Sequence, residues 1–226
     1  MYCKFIKFCR FVVIYLCLFQ GDLKQFLLAT RGHINGRPFP SRVPPLTLAQ
    51  KLTMYNQIAL GMEHLSNHRF IHKDLAARNI LLTSRMELKI SSLSMCRDVY
   101  AGEYYFQNPS FLPLRWTAPE VLLRNEYSPK SDVWAYGVFM WEVFSLGELP
   151  YPTQTDEDII RKLKSCDIQL PLTEQIPIEL RDIMKRCMAE NPRDRPPFTE
   201  LCLILSEMMT KCSTVSLPLS ISPHPV

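Results

Sequence analysis

Residues 72–79 read HKDLAARN, a polar octet that stands between short apolar runs. It places Asp74 and Asn79 five residues apart on one tight loop. At this spacing the carboxylate can accept a proton from a hydroxyl group while the amide oxygen ligates a metal ion, an arrangement that suits phosphoryl transfer. Taken alone, Asp74 could instead cap backbone amides of its own loop. The octet predicts a catalytic loop with Asp74 and Asn79 as its candidate functional residues.

Long apolar patterns on both sides of the octet predict a helical framework. Thr47 precedes LAQKLTMYNQIALGMEHLSN at 48–67, where apolar residues recur at helical spacing, so Thr47 should cap a long buried helix. The segment DVWAYGVFMWEVFSLG at 132–147 is hydrophobic nearly all round. This pattern predicts a central helix that begins at Ser131 or Asp132.

The remaining pattern completes one mainly helical domain with a few short strands. Asp22 should cap a helix that ends near Thr30. The following RGHINGRPFPSRVPPL at 31–46 holds four prolines, which predicts a long surface loop. Further helices are expected at about 156–165, 177–189 and 198–210. We therefore predict a mainly α (α+β) domain at residues 21–210, followed by a disordered Pro- and Ser-rich tail at 211–226.

Residues 1–20 read MYCKFIKFCRFVVIYLCLFQ, an apolar segment with basic residues near its start. Its layout resembles a signal peptide, and the apolar run at 11–19 is too short to span a bilayer. No small-residue cleavage pattern follows this run, and the β-rich composition of residues 12–15 suits a fully buried strand. The sequence favours the strand over the signal peptide.

Composition and charge indicate a globular protein without a nucleic-acid footprint. The chain has 226 residues, 47% of them hydrophobic, and a net charge of +4 from scattered Lys and Arg. The eight cysteines include no CxxC pair, and no His spacing suits a zinc site, so no metal centre is expected from them. Cysteines spread singly through apolar stretches are typical of core residues in a reducing, cytosolic compartment.

The octet and two further stretches of the sequence resemble the same protein family. The loop variant Ala-Ala-Arg that ends at Arg78, LPLRWTAPE at 112–120 and SDVWAYGVFMWEVFSLGELPY at 131–151 are similar to the C-terminal lobe of receptor-type protein tyrosine kinases. The resemblance covers about residues 12–208. It implies the protein-kinase-like fold, with residues 1–20 supplying at most the last strand of the N-terminal lobe and the hinge. It also implies that Arg78 helps to position a substrate tyrosine hydroxyl.

The resemblance implies a set of structural and cofactor-binding residues as well. Glu120 and Arg195 would form a buried bidentate ion pair. Asp132 would orient the catalytic loop through backbone hydrogen bonds, with a plain helix N-cap as the alternative. His72 would lie along a hydrophobic spine. A complete, active member would use ATP and magnesium, and the corresponding positions here are Leu16, Cys17, Leu18, Asn79 and Ser92.

The metal-binding triplet departs from the family pattern. The residues Ser92 to Ser94 read SLS and begin thirteen positions after Asn79, where an active kinase carries Asp-Phe-Gly. A serine hydroxyl supplies neither the charge nor the bidentate ligation that an aspartate offers to magnesium. Losing one oriented electrostatic contact typically lowers a rate by about a hundred- to a thousandfold. Asp74 and Asn79 are therefore expected to be relics of catalysis. Lys73 is a further departure, because it stands where the family usually has Arg.

A second departure concerns the N-terminal lobe. Only eleven residues precede Val12, so no Gly-rich phosphate loop, strand Lys or partner Glu comes before the predicted strand. We expect the chain to be a fragment or a truncated isoform, and we expect no cofactor to bind to it as it stands. ATP and magnesium would be the cofactors of a complete, active kinase.

Within the receptor tyrosine kinases the chain most resembles the pseudokinase family of protein tyrosine kinase 7 and its insect relative off-track. The likeness rests on GDLKQFL at 21–27, QIALGMEHLSN at 57–67, RFIHKDLAARN at 69–79, the degraded triplet, and RDVY followed by EYY. It implies a kinase-like domain on the cytoplasmic face of the plasma membrane, in a single-pass receptor of Wnt and planar cell polarity signalling. Signalling proteins and other receptors would be its partners. The possible phosphorylation sites are Tyr100, Tyr104 and Tyr105.

Three functional hypotheses are compatible with these motifs. The favoured one is a catalytically deficient kinase-like module that acts as a signalling scaffold. The alternative is an active tyrosine kinase, with Asp74 as the base, that transfers the γ-phosphate of ATP to tyrosine in a protein or peptide. The third is an unrelated helical interaction domain, which would require a chance coincidence of Asp74, Asn79, Glu120, Asp132 and Arg195.

Overall fold

The computed structural model describes residues 19–31, 33–34, 37–38, 45–91, 105–107 and 110–215. Helices dominate this part of the chain. In chain order they are α1 (Leu23–Thr30), α2 (Leu48–Asn67), α3 (Pro119–Arg124), α4 (Pro129–Phe144), α5 (Asp156–Lys164), α6 (Ile178–Cys187) and α7 (Phe198–Val215). The strands are β1 (Phe19–Asp22), β2 (His33–Ile34), β3 (Arg37–Pro38), β4 (Ile80–Thr83), β5 (Leu88–Ile90), β6 (Tyr105–Gln107) and β7 (Ser110–Leu112).

The strands form small antiparallel sheets. β1, β4 and β5 make a three-stranded sheet in that order, in which Ile80 pairs with Ile90. β6 pairs with β7, and β2 pairs with β3. The prediction of an uninterrupted loop at 31–46 is therefore wrong at β2 and β3. The two strands are separated by Asn-Gly, a strong hairpin sequence that the proline content of the segment obscured.

Helix α4 lies at the centre of the core, as its apolar composition predicts. Every residue from Ser131 to Val143 is buried. Two tyrosines connect α4 to α2, because Tyr55 Oη donates to Met140 O at 3.0 Å and Tyr136 Oη donates to Tyr55 O at 2.9 Å. Both hydroxyl groups are thus satisfied inside the core. These two bonds help to hold α2, which leads into the octet, against the central helix.

The helix starts follow the capping signals of the sequence, with one correction. The side chains of Asp22 and Thr47 cap α1 and α2, and Thr47 does so within a capping box. Helix α4 begins at Pro129, earlier than the predicted start at Ser131 or Asp132. Ser128 is its N-cap, and a proline at the first helical position needs no backbone N–H partner.

The predictions for the two ends of the chain differ in outcome. Helix α7 continues to Val215, five residues past the predicted end at 210, so the predicted disordered tail begins too early. The strand predicted at 12–15 and the rest of the tail lie outside the described residues and stay predictions. Among the described helices, none combines the length and apolar composition that crossing a membrane requires.

Candidate functional site

The octet forms a largely buried loop that connects α2 to β4. One turn of 3-10 helix, Ala77–Asn79, ends the loop. Asn79 Nδ2 donates to Asp74 O at 2.7 Å, and the Asp74 N–H donates to His72 Nδ1 at 3.3 Å. The side chain of Asn79 therefore closes the loop on the backbone of Asp74 and brings the two predicted site residues together.

The Asp74 carboxylate is paired with a buried arginine. Arg78 Nη2 lies 2.5 Å from Asp74 Oδ1, and the Arg78 side chain has no exposed surface whereas that of Asp74 is 21% exposed. The guanidinium group also lies 4.2 Å from the centre of the Trp116 ring, a cation–π contact. Arg78 thus orders the side chain that the sequence proposes as the catalytic base.

A carboxylate from α4 holds the start of the octet. Asp132 Oδ2 accepts the His72 N–H at 2.8 Å, and Asp132 Oδ1 accepts the Lys73 N–H at 3.0 Å. Because Ser128 caps α4, the N-cap alternative for Asp132 does not describe this geometry. Burial raises the pKa of Asp132, although the two N–H donors act in the opposite direction. Burial lowers the pKa of His72, whose Nε2 lies 3.2 Å from Ser91 O.

Lys73, which stands where the family usually has arginine, makes a different contact. Its backbone has a φ of 71°, in the left-handed region that non-glycine residues rarely adopt. Its Nζ atom lies 4.8 Å from the centre of the Tyr127 ring. Burial raises the pKa of Tyr127, and the charge of Asp74 adds to the effect.

Glu120 and Arg195 meet although 75 positions separate them in the chain. The pair is bidentate, with Arg195 Nη1 at 2.6 Å from Glu120 Oε1 and Nη2 at 2.9 Å from Oε2. Neither side chain is more than 4% exposed. Arg195 Nε donates in addition to Ala189 O at 2.8 Å. The pair ties the start of α3 to the segment that precedes α7.

Glu142 of α4 is a third buried acidic residue, after Asp132 and Glu120, and the sequence motifs do not single it out. Its Oε1 atom accepts from Lys24 Nζ at 3.3 Å, and its Oε2 atom accepts from the Ala77 N–H at 3.0 Å and from Trp116 Nε1 at 2.8 Å. One carboxylate with no exposed surface thus connects α1, the octet and the Trp116 segment. The available signal was that Glu142 is the one charged residue in the apolar stretch 133–144.

The residues at the predicted metal position do not fit magnesium well. Asn79 Oδ1 is buried and has no hydrogen-bond partner among the described residues, so it could serve as one ligand. No group of three His, Cys, Asp or Glu side chains in the described part of the chain is arranged to hold a metal ion. Ser92 would add only a neutral hydroxyl. Magnesium in phosphoryl-transfer sites is usually bound through one or two carboxylates, which these two positions lack.

Most of the remaining predicted site residues lie outside the described part of the chain. Tyr105 begins β6. The following lie outside the described residues: Leu16, Cys17, Leu18, Ser92, Tyr100 and Tyr104. Their roles in the hinge, the metal site and phosphorylation stay predictions.

Known proteins similar to this chain share its kinase-like character. Inactive tyrosine-protein kinase 7 from Mus musculus is 46% identical over 187 residues, which are 83% of this chain and 17% of the relative. The Homo sapiens protein of the same name is 45% identical over the same shares. Tyrosine-protein kinase-like otk from Drosophila ananassae is 42% identical over 192 residues, 84% of this chain and 18% of the relative. The chain therefore spans less than a fifth of the length of these relatives.

A family model agrees with the motifs and with the fold. The model described as protein tyrosine and serine/threonine kinase matches residues 3–205. The predicted mainly α (α+β) architecture, dominated by the C-terminal lobe of a kinase-like fold, is thus confirmed. Members of this family generally use ATP and magnesium. The chain belongs to the protein tyrosine and serine/threonine kinase family.

Proposed function

We propose that this chain is the kinase-like domain of a receptor-type pseudokinase, deficient in catalysis and acting as a signalling scaffold. The relatives named inactive tyrosine-protein kinase 7 and tyrosine-protein kinase-like otk support the proposal. In this proposal the domain lies at the cytoplasmic face of the plasma membrane in a single-pass receptor of Wnt and planar cell polarity signalling. Other receptors and signalling proteins are its partners.

The proposal rests on an ordered catalytic loop that is followed in the sequence by a degraded metal-binding triplet. Arg78 orders the Asp74 carboxylate, and Asp132 and Glu142 hold the loop to α4. The triplet SLS replaces the metal-binding Asp-Phe-Gly. A loop of this kind preserves a defined protein surface, whereas phosphoryl transfer also requires magnesium to neutralise the developing charge. The combination favours binding over catalysis.

Magnesium-dependent nucleotide binding tests the proposal. We expect calorimetric titration of ATP into the full chain to give the same affinity, or no binding, with and without magnesium. The matched variant is Asn79→Ala, which removes the amide oxygen most suited to the metal, and its thermal unfolding is measured in parallel. Tighter ATP binding in magnesium, lost in Asn79→Ala while the variant stays folded, would contradict the proposal.

A further inference from the structure

A cavity of about 550 Å³ lies between α6 and the segment that follows α5. Its apolar lining includes Ile168, Leu170 and Met184. Two cationic side chains, Arg181 and Lys185, also line it. No residue of the octet contributes to its walls, so this cavity is separate from the catalytic loop.

One wall of the cavity is the segment at 167–170, which lies between α5 and α6 and outside the assigned strands. Burial alternates along it, because Ile168 and Leu170 are buried whereas Asp167 and Gln169 are exposed, as in a strand with one covered face. The N–H groups at 168–170 have no hydrogen-bond partner among the described residues. Trp141 Nε1 donates to Pro171 O at 3.2 Å and anchors the segment to α4. Leu170 O already accepts the Leu172 N–H at 2.8 Å, so this edge offers its N–H donors, which can pair with the carbonyl groups of another extended chain.

The opposite wall carries two positive charges that no described residue pairs with. Arg181 and Lys185 are four residues apart on α6 and lie on the same face of the helix. Neither side chain forms an ion pair with a described residue. Arg181 Nε is buried and has no hydrogen-bond partner among the described residues. By contrast, Arg186 on the same helix is paired with Glu200. Among the described residues, the lining includes no acidic side chain, so an anionic group from outside would complement it.

We infer that this groove binds an acidic peptide segment of a partner protein. The peptide backbone pairs with the edge at 168–170, an apolar side chain enters the cavity, and a carboxylate meets Arg181 and Lys185. A small free anion would satisfy the charges but would leave the strand edge and the apolar lining without a partner. The inference goes beyond the proposed function, because the groove does not depend on whether the catalytic loop is active.

Fluorescence anisotropy with synthetic peptides tests the inference. The probe is a pool of fluorescein-labelled peptides that alternate random apolar residues with glutamate, and a second pool has lysine in place of glutamate. We expect the full chain to bind the acidic pool and not the basic pool. The variant Arg181→Gln/Lys185→Gln should weaken binding by about tenfold or more. The matched control Lys164→Gln/Arg186→Gln removes the same charge from exposed positions outside the cavity and should bind as the wild type does.

A third peptide pool separates backbone pairing from simple charge attraction. Methylation of alternate backbone nitrogens in the acidic pool keeps the side chains, but the methyl groups hold the peptide carbonyl groups out of reach of the N–H donors at 168–170, and we expect this pool to bind much more weakly. Equal binding by the methylated pool, no binding by the acidic pool, or equal loss in the two double variants would overturn the inference. None of these measurements involves nucleotide, so their failure would not bear on the proposed lack of catalysis.

Discussion

Replacing Glu120 with alanine should lower the free energy of unfolding by about 3–5 kcal/mol, because a buried guanidinium group would lose its carboxylate partner. Arg195 has no exposed surface, so water cannot replace that carboxylate without opening the structure. The remaining carbonyl acceptors around Arg195 carry only partial charges and cannot neutralise it. Urea denaturation followed by tryptophan fluorescence measures the loss, since the Arg195 guanidinium lies 5.0 Å from the Trp134 ring centre.

A neighbouring exposed ion pair provides the control for this prediction. Arg124 and Glu126 also form a salt bridge, but their side chains are 55% and 59% exposed. Glu126→Ala should therefore cost no more than about 1 kcal/mol. If the two alanine variants proved equally stable, burial would not govern the energy of the Glu120 pair, and its role as a structural anchor would be wrong.

Replacing Glu142 with leucine should have a similar effect, about 3–5 kcal/mol, for a different reason. The substitution removes one acceptor from three donors at once, namely Lys24 Nζ, the Ala77 N–H and Trp116 Nε1. It also removes the carboxylate from a lysine that is only 4% exposed. Because the indole N–H of Trp116 loses its hydrogen-bond acceptor, the fluorescence of Trp116 in the folded state should change as well.

A double variant separates the charge contribution of Glu142 from its hydrogen bonds. In Lys24→Met/Glu142→Leu the buried ammonium is removed together with the carboxylate. The double variant should therefore be more stable than Glu142→Leu alone, and the two single losses should not add. Strict additivity in urea denaturation would show that Lys24 and Glu142 do not interact energetically, which contradicts the ion pair in the structure.

Local patterns predicted much of the helical fold. Thr47 and the apolar residues after it carry the information for α2 within one segment, so capping and periodicity were sufficient. The apolar run begins after the first turn of α4 and therefore predicts too late a start, whereas the N-cap is the polar Ser128. The four prolines at 31–46 predict a loop there, although the segment also contains the short strands β2 and β3.

The candidate site was only partly predictable because most of its contacts join distant segments. Asp74, Arg78 and Asn79 lie within one octet, so their meeting follows from the loop itself. Lys24 and Glu142 are 118 positions apart, and no local pattern relates them. The pairing of Glu120 with Arg195 was expected only through the family resemblance, since spacing alone does not indicate which charges meet in a core.

We propose that the chain keeps the architecture of a kinase catalytic loop without its metal-dependent chemistry. The most direct test is the transfer of phosphate from radiolabelled ATP to a tyrosine-containing peptide in magnesium, with the full chain and with Asp74→Asn. We predict that neither protein exceeds the background without protein, because the metal position lacks a carboxylate. Magnesium-dependent transfer by the wild type that Asp74→Asn abolishes would contradict the claim.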